Sequence, residues 1–292
     1  RLALLKTTAF AYETRMCFFI HGWTATRDLE RLLPLLLKTF GPQVVIEEQE
    51  MREQDLERVP IALRNPPYFR PFELMTSLLP LPAYTSYDPT PYIGIFFPIF
   101  FGIILGDAGY GLTLMLGAWY LRKHYRADRR IRDGGTILLI SSAYTIFFGV
   151  LFGEFFGDLP ERLFHLEPLC IARRTAIIPM LIFSLAIGVA HVALGLLLGA
   201  VNAFHRNLKR EGLFKALSIV IIFCMVAVIA SLFGVFPVVL KRPAILAILF
   251  LTPLLFFAGG ILAPLEFLKS IGNIISYVRI TAIGLTSVLL AF

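Results

Sequence analysis

The residue with the clearest chemical potential is an arginine inside the last apolar stretch of the chain. Residues 272–292 read GNIISYVRITAIGLTSVLLAF, and Arg279 is their only side chain that is charged near neutral pH. An arginine stays protonated under ordinary conditions, and placing one in lipid costs about 2.5–3.5 kcal/mol on insertion scales. Such a residue either reaches an interface with its long side chain or serves a function. Because apolar residues continue well beyond it, we interpret Arg279 as a functional residue.

Three further polar residues lie in or beside apolar stretches. Glu154 is near the end of its stretch and is open to two interpretations: an interfacial carboxylate, or a group through which protons pass in from the outer side. His191 lies mid-stretch, where a lone histidine favours a hydrogen bond between helices over a ligand or a proton relay. Glu266 precedes the last stretch and either delivers protons towards Arg279 or is a solvated cap residue.

A fourth polar residue, Asp107, lies in the motif GDAGYG. A charge and several glycines suit a break in a helix better than its interior. We expect the Asp107 carboxylate to accept backbone N–H groups and hold a hairpin turn made with Gly106, Gly109 and Gly111. Ion handling by Asp107 is the alternative.

Composition and spacing point away from an enzyme. Of the 292 residues 57% are hydrophobic, which indicates an integral membrane protein with some soluble sequence attached. The net charge of +7 fits basic cytoplasmic loops and not a nucleic-acid surface. Cys17, Cys170 and Cys224 are too scattered for a disulfide framework or a zinc site, and no residue pair suggests nucleophilic catalysis. We expect no metal, no cofactor and no catalytic activity of the chain's own.

The function that fits an arginine in a membrane is ion translocation. A fixed positive charge lowers the pKa of a nearby carboxyl group and keeps it ionised. It also blocks the leak of cations between two water paths that each reach half-way through the membrane. No Asp or Glu lies mid-stretch opposite Arg279 in this sequence, so the acidic partner would have to come from another subunit.

Residues 1–64 predict a small α/β cytoplasmic lobe fragment. The apolar run 16–23 (MCFFIHGW) favours a strand, and 43–46 favours a second one. The helix between them would be capped by Thr26 or Asp28. Its apolar face would consist of Leu29, Leu32, Leu33, Leu36 and Leu37.

Residues 65–91 are rich in proline and predict an extended, stiff connector to a membrane domain at 92–292. The run 92–121 would be about 45 Å long as one helix, against a hydrocarbon core of about 30 Å. The basic segment 122–133 belongs in the cytoplasm by the positive-inside rule, as does the lobe. The lobe and segment 122–133 can lie on the same side of the membrane only if 92–121 crosses it twice, as a short hairpin. A single tilted helix is the alternative.

The fold class we predict is a mainly α polytopic membrane protein with about seven membrane crossings after the small lobe, the first two as the short hairpin. Inner loops then carry more Lys and Arg than outer loops, as the positive-inside rule requires. The crossings are expected near residues 92–106, 108–121, 136–157, 175–204, 213–236, 244–263 and 270–292.

Two motifs resemble a known family. The run from Asn65 through DPTP (88–91) to FFGIILGDAGYGL (100–112), and again GNIISYVR (272–279), is similar to the membrane subunit of the rotary V/A-type ATPases. This subunit is called subunit a in eukaryotes and subunit I in bacteria and archaea. GDAGYG is closer to the prokaryotic form, and the resemblance covers nearly the whole chain.

The resemblance implies the stator of a rotary ATPase or ATP synthase that couples proton translocation to ring rotation. Arg279 takes the position of the family's essential arginine, which faces the carboxylates of the proteolipid ring (c or K ring) and separates two half-channels. The lobe would dock on the peripheral-stalk subunits E and G, and the central-stalk socket subunit (d or C) is a further implied partner. The chain itself would hydrolyse no ATP. Its location would be a prokaryotic plasma membrane, or a vacuolar-type membrane in a eukaryote.

Some positions depart from the family pattern. Where some relatives have a histidine after the arginine, this chain has Ser287, and Glu266 is one residue out of register with a half-channel glutamate of eukaryotic relatives. The family's eighth helix is absent, so we expect the chain to be part of a longer protein. Outside the family, the alternatives are a secondary transporter that binds an anionic substrate through Arg279, and a structural membrane anchor. The candidates for half-channel or polar support are Glu154, His191, Glu266, Ser276 and Ser287.

Overall fold

The computed structural model of the chain is mainly helical. It describes residues 11–13, 18–20, 22–49, 59, 63–78, 87–164, 169–170, 173 and 176–290. The chain divides into two units, one of residues 1–63 with 81–86 and one of residues 64–80 with 87–292.

The described residues of the first unit form a two-stranded antiparallel sheet and one helix. Strand β1 (Ala11–Glu13) pairs with β2 (Phe18–Ile20), with Tyr12 opposite Phe19. Helix α1 (Thr26–Phe40) follows, and a 3₁₀ turn (Gly41–Gln43) ends it. The predicted helix is therefore confirmed, whereas both described strands precede it, unlike the predicted strand–helix–strand order.

Two predictions in this unit are wrong. Ala25 holds the N-cap position of α1 without a side-chain bond, and both Thr26 and Asp28 lie inside the helix. Asp28 is in the first turn, where a negative charge interacts favourably with the helix dipole without capping the helix. The predicted strand 43–46 does not form, because Gln43 belongs to the 3₁₀ turn and 44–49 have no regular secondary structure. Part of the predicted strand 16–23, at residues 16–17 and 21, lies outside the described residues.

The second unit is built of helices joined mostly by short loops. In its described part, three 3₁₀ turns lie before, between or within these helices: Arg70–Phe72, Val238–Leu240 and Gly260–Leu262. The helices are α2 (Glu73–Thr76), α3 (Thr90–Leu105), α4 (Ala108–His124), α5 (Arg129–Phe152), α6 (Leu159–Phe164), α7 (Ile177–His205), α8 (Lys209–Leu232), α9 (Lys241–Gly259), α10 (Ala263–Ser276) and α11 (Val278–Leu290).

Several of these helices suit a membrane. Among the described residues, four helical stretches are long and apolar enough to cross one, judged by length and composition. Helix α3 is apolar but shorter. The four stretches are Arg129–Phe152, Ile177–His205, Lys209–Leu232 and Lys241–Thr286.

Helices α3 and α4 run in opposite directions along α5 and are separated at Gly106 and Asp107. The end of α3 lies beside the later half of α5, where a Cβ on Gly102 would come within 2.8 Å of the Tyr144 backbone. The far end of α4 lies beside the start of α5, where a Cβ on Gly135 would come within 3.4 Å of the Ala118 carbonyl. The continuous helix over 92–121, which was the alternative, is not formed.

The proline-rich connector is more compact than predicted. Residues 70–76 form a 3₁₀ turn and α2, in which Phe72 and Thr76 are fully buried. Proline is tolerated in the first turn of a helix because its missing N–H has no partner there anyway. The Thr76 hydroxyl shares a hydrogen bond of 2.9 Å with Thr90, so this turn packs against the start of α3. The described part of the connector is therefore folded and not extended.

Asp88 fixes the entrance to α3. Its Oδ1 accepts the Thr90 N–H at 2.8 Å, and its Oδ2 accepts the Asn65 amide at 2.8 Å. Burial raises the pKa of Asp88, but the hydrogen bonds from Thr90 and Asn65 outweigh burial and hold the pKa below its usual value.

Helix ends differ from the predicted crossings where polar residues extend a helix. Most of the basic segment 122–133 is helical. Helix α4 continues to His124, and α5 begins at Arg129, where Asp128 caps it through the N–H groups of Arg130 and Ile131. The last helical arm begins at Ala263 and not near 270. Glu266 therefore lies in the first turn of α10 and not before the helix.

The last three helices reverse direction once. Helix α9 runs antiparallel to α8, since Gly259 packs on Phe214 near the start of α8 and Leu240 lies close to Ala227. Helices α10 and α11 run antiparallel to α7, because Gly188 faces Tyr277 and Met180 accepts a bond from Thr281. The chain turns back at the 3₁₀ turn 260–262.

Candidate functional site

Arg279 lies at the junction of α10 and α11, on a locally tightened turn. The Ile280 N–H donates to the Tyr277 carbonyl at 2.9 Å, three residues back instead of four. The Ser276 carbonyl accepts the Arg279 Nε–H at 3.1 Å, and the Ser276 hydroxyl accepts Nη2 at 2.7 Å. Ser276, a predicted support residue, thus holds the guanidinium close to its own helix.

The face that carries Arg279 is exposed, and its flanks one turn to either side are apolar. Ile275 and Ile283, about one turn before and after it, are 59% and 53% exposed. Arg279 is itself exposed. Among the described residues, no carboxylate forms an ion pair with it. The arginine therefore points away from the rest of this unit.

The opposite face of the junction is tied to α7 and α3. The Tyr277 hydroxyl forms a hydrogen bond with Nδ1 of His191 on α7. Phe100 on α3 makes edge contacts with both rings, at centroid distances of 5.3 Å to His191 and 5.7 Å to Tyr277. Phe96, one turn earlier, lies 4.3 Å from the His191 ring. His191 is thus a partner between helices, the interpretation that its mid-stretch position favoured.

A second polar tie lies one turn further along α11. The buried Thr281 hydroxyl donates to the Met180 carbonyl at 2.9 Å and lies 3.0 Å from the Ser184 hydroxyl. Side-chain hydrogen bonds of this kind hold helices together in apolar surroundings, where burial of apolar area contributes little.

The turn between α3 and α4 is organised by Asp107, which is 3% exposed. Its Oδ1 accepts the N–H groups of Gly109 at 2.8 Å, Tyr110 at 3.0 Å and Phe156 at 2.9 Å. Its Oδ2 accepts the Gly157 N–H at 2.7 Å. Asp107 therefore caps α4 and joins it to the loop after α5. Gly106 precedes it in the left-handed region, with φ +43°, where glycine is favoured.

A buried arginine that the sequence did not single out completes this turn. Arg173 is 2% exposed, and its guanidinium donates to the carbonyls that end α3, namely Ile103, Ile104, Leu105 and Gly106, at 2.9–3.3 Å. The last carbonyls of a helix have no partner within it, and Arg173 supplies one. Its Nε also donates to Glu154 at 2.9 Å, and Nη2 forms an ion pair with the same carboxylate.

The structure thus brings some predicted residues together and leaves others apart. Glu154 joins Asp107 at the turn, because its own carbonyl accepts the Ala108 N–H at 2.9 Å. Gly109 and Gly111 lie where α4 packs closely on Phe156 and Ile146. Glu266 is exposed in α10, about 20 Å along the helix axis from Arg279 at 1.5 Å per residue. Ser287 lies in α11, but its side chain is outside the described part.

Sequence reasoning missed Arg173 and Tyr277. Arg173 lies in a loop with charges of both signs, which predicts a solvated segment, and nothing in its spacing marks it as buried. Tyr277 had a usable signal, since residues two apart on a helix lie on nearly opposite faces. If Arg279 faces outward, Tyr277 is expected to face inward. Among the described residues, no cluster of His, Cys, Asp or Glu is arranged to hold a metal ion.

Comparison with known proteins places these residues in a family. Residues 5–165, more than half of the chain, match the V-type ATPase 116kDa subunit family. The chain belongs to this family. The resemblance drawn from the two sequence motifs is thereby confirmed, and the Asp107 turn lies within the matched region.

Curated relatives extend the similarity to the remainder of the chain. A-type ATP synthase subunit I of Thermococcus kodakarensis is 32% identical over 298 residues, which cover 94% of this chain and 43% of the relative. The subunit I proteins of Pyrococcus horikoshii and Methanothermobacter thermautotrophicus are 28% and 26% identical, over 96% and 94% of this chain. The chain spans less than half the length of these relatives.

Proposed function

We propose that this chain forms the membrane part of a stator subunit in a V/A-type rotary ATPase or ATP synthase. Membership of the family and the relatives' name, A-type ATP synthase subunit I, support this role. In it the chain hydrolyses no ATP and instead provides one wall of an ion path. The observation that carries the proposal is the exposed, apolar face around Arg279.

The physical argument starts from the cost of an exposed arginine in a membrane. A guanidinium facing lipid is unfavourable by about 2.5–3.5 kcal/mol or more, so a partner with negative charge should cover it. Among the described residues, none pairs with Arg279. A carboxylate of a proteolipid ring would meet this need, and the apolar flanks Ile275 and Ile283 would let the ring slide past.

The proposed mechanism follows from that contact. A proton from one half-channel neutralises a ring carboxylate, which then leaves Arg279 and turns with the ring into lipid. After a full turn the proton departs through the other half-channel, and Arg279 keeps the emptied carboxylate ionised by lowering its pKa. The same positive charge repels cations that would pass directly between the half-channels. Glu154, His191, Glu266 and Ser287 stay candidates for these paths.

The predicted topology is part of this proposal. Helices α3 and α4, of 16 and 17 residues, would be two short crossings supported by α5. The four longer stretches would add five crossings, because Lys241–Thr286 turns back at residues 260–262 and would cross twice, which gives about seven. Residues 1–64 would belong to a cytoplasmic α/β lobe that docks on peripheral-stalk subunits E and G. The socket subunit d or C of the central stalk would be a further partner, and the complex would lie in a prokaryotic plasma membrane.

The test is ATP-driven ion pumping by the complete complex, assembled with the full-length subunit and reconstituted in vesicles. Arg279→Ala and Arg279→Lys are compared with the wild type and with Arg242→Ala, which removes an exposed arginine at the start of α9. Proton uptake is measured with and without Na⁺, and assembly is checked by co-purification of the ring.

We expect both Arg279 variants to assemble and neither to pump, while Arg242→Ala pumps normally. Normal pumping by Arg279→Ala would refute the proposal and favour a structural anchor. Substrate uptake by the isolated chain, lost in Arg279→Ala, would instead favour the secondary transporter.

A further inference from the structure

We infer that Tyr277 and His191 form a positioning pair that sets the direction of Arg279, an inference that rests on the proposed function. Neither side chain touches the guanidinium. The pair acts through the backbone of the junction between α10 and α11, which Tyr277 shares with Arg279.

The first step is the coupling between Tyr277 and the groups that hold Arg279. The Tyr277 carbonyl accepts the Ile280 N–H, and the tightened turn presents the Ser276 carbonyl to Arg279 Nε at 3.1 Å. In a regular helix the carbonyl of residue 276 would accept the N–H of residue 280. The backbone position of Tyr277 therefore decides whether the Ser276 carbonyl is available to the arginine.

The second step is what fixes Tyr277 itself. Its ring rests against Gly188, where a Cβ would come within 2.9 Å of Tyr277 Cγ, so α7 and the junction are in close contact. Its hydroxyl bonds to His191, and Phe100 contacts both rings. Ring packing restrains the side chain, and the hydroxyl–imidazole bond is the directional contact that selects one rotation of the turn.

The third step is geometric. Residues two positions apart point about 200° apart in an α-helix and about 240° apart in a tightened 3₁₀ turn, so in either geometry fixing Tyr277 inward directs Arg279 away from that face. Loss of the bond would let the turn relax and spread the guanidinium over several directions. A misdirected arginine would meet the ring carboxylate less often and would block leakage less well.

The experiment uses the complete complex in vesicles and measures protons pumped per ATP hydrolysed, together with passive proton leak. Tyr277→Phe removes only the hydroxyl and keeps the ring packing. His191→Leu removes the imidazole, whereas His191→Asn places an amide near the former position of Nδ1. The exposed pair Tyr120 and His124 on α4 supplies the matched controls Tyr120→Phe and His124→Leu.

We expect Tyr277→Phe and His191→Leu each to lower the pumping ratio about three- to tenfold, the range of one hydrogen bond between membrane helices. The double variant should be no worse than either single one, and His191→Asn should retain most of the ratio. The control variants should match the wild type.

Three results would overturn the inference. The first is a wild-type ratio in Tyr277→Phe, and the second is a His191→Asn ratio as low as that of His191→Leu. The third is reduced assembly with a wild-type ratio in the complexes that do assemble, which would make the pair only structural. Arg279→Ala, measured in the same experiment, distinguishes failure of the proposed function from failure of the positioning inference. If Arg279→Ala pumps normally, the proposed function fails; if it is inactive, only the positioning inference is at stake.

Discussion

Asp107 offers the sharpest test of the structure, because its two carboxylate oxygens are used unequally. Oδ1 accepts three backbone N–H groups, from Gly109, Tyr110 and Phe156, and Oδ2 accepts one, from Gly157. An asparagine at this position would have one amide oxygen and one NH₂ group. Its best orientation keeps the oxygen at the Oδ1 position, so the NH₂ group meets the Gly157 N–H.

The magnitude follows from this arrangement. Asp107→Asn loses one charge-assisted hydrogen bond and adds a contact between two donors, which together cost about 2–3 kcal/mol. Asp107→Ala leaves all four N–H groups, two buried and two partly buried, without the carboxylate. We expect a loss beyond about 4 kcal/mol, enough to prevent folding of a marginally stable domain. Stability should therefore be highest in the wild type, lower in Asp107→Asn and lowest in Asp107→Ala.

The assay is thermal unfolding of the purified full-length subunit in detergent, followed by loss of the monodisperse peak. At about 2–4 °C per kcal/mol, Asp107→Asn should lower the midpoint by about 4–12 °C. The matched control is Asp128→Asn. Asp128 also caps a helix through Oδ1, but it is exposed, and asparagine caps helices about as well as aspartate. Equal midpoints for Asp107→Asn and Asp128→Asn would refute the reasoning.

Three further predictions use the same kind of measurement. Arg173→Gln leaves the largely buried Glu154 carboxylate without its partner and should lower the free energy of unfolding by about 3–5 kcal/mol. Adding Glu154→Gln should recover part of that loss, and no recovery would mean that the ion pair is not the cause. Gly149→Ala places a Cβ 2.1 Å from the Ala108 backbone nitrogen and should lower the free energy of unfolding by about 3 kcal/mol. Gly195→Ala, with open space around it, should instead stabilise the protein by about 0.5–1 kcal/mol. Similar unfolding midpoints for the two variants would contradict the close packing at Gly149. Because the pKa of Asp88 is lower in the folded state, its contribution to stability is full above its unfolded pKa of about 3.9 and is lost as the pH falls through the folded value. Asp88→Asn should therefore flatten the pH dependence of the unfolding midpoint in that range.

The sequence predicted best what single residue types decide locally. A helix break at Gly106 and Asp107 follows from a left-handed glycine and a capping carboxylate, and the structure has its helices end and begin there. The helix ended by Gly41 also follows from local signals. Helix ends in the basic segment were missed because apolar length indicates where a helix lies in lipid, while Asp128 decides where α5 begins.

Long-range contacts could not be predicted in the same way. Arg173 reaches carbonyls about 70 positions earlier in the chain, and its neighbours in sequence carry charges that suggest a solvated loop. The folding of 70–76 under α3 depends on Phe72 and Thr76 finding Thr90, which no local pattern indicates. Both sets of contacts join residues that are far apart in the sequence, so local patterns do not reveal them.

The direction of Arg279 is the most consequential of these long-range results. Apolar side chains lie on every side of α11, so hydrophobic periodicity in that helix does not say which face turns inward. The inward stripe is instead marked by Ile274, Tyr277, Thr281 and Gly284, spaced three, four and three residues apart. It carries two hydrogen-bonding side chains and a glycine that approaches the Ile104 carbonyl, features that join helices in apolar surroundings.

Arg279 therefore points outward because its neighbours point inward. Tyr277 ties the stripe to α7 two residues before it, and Gly284 brings it against the end of α3 five residues after it, where Arg173 lies close by. The turn at Asp107 and the junction that carries Arg279 are thus held by neighbouring contacts on α3 and α7. A substitution that loosens the contact of Tyr277 with α7 or of Gly284 with α3 should change the direction of the Arg279 guanidinium while α11 stays helical.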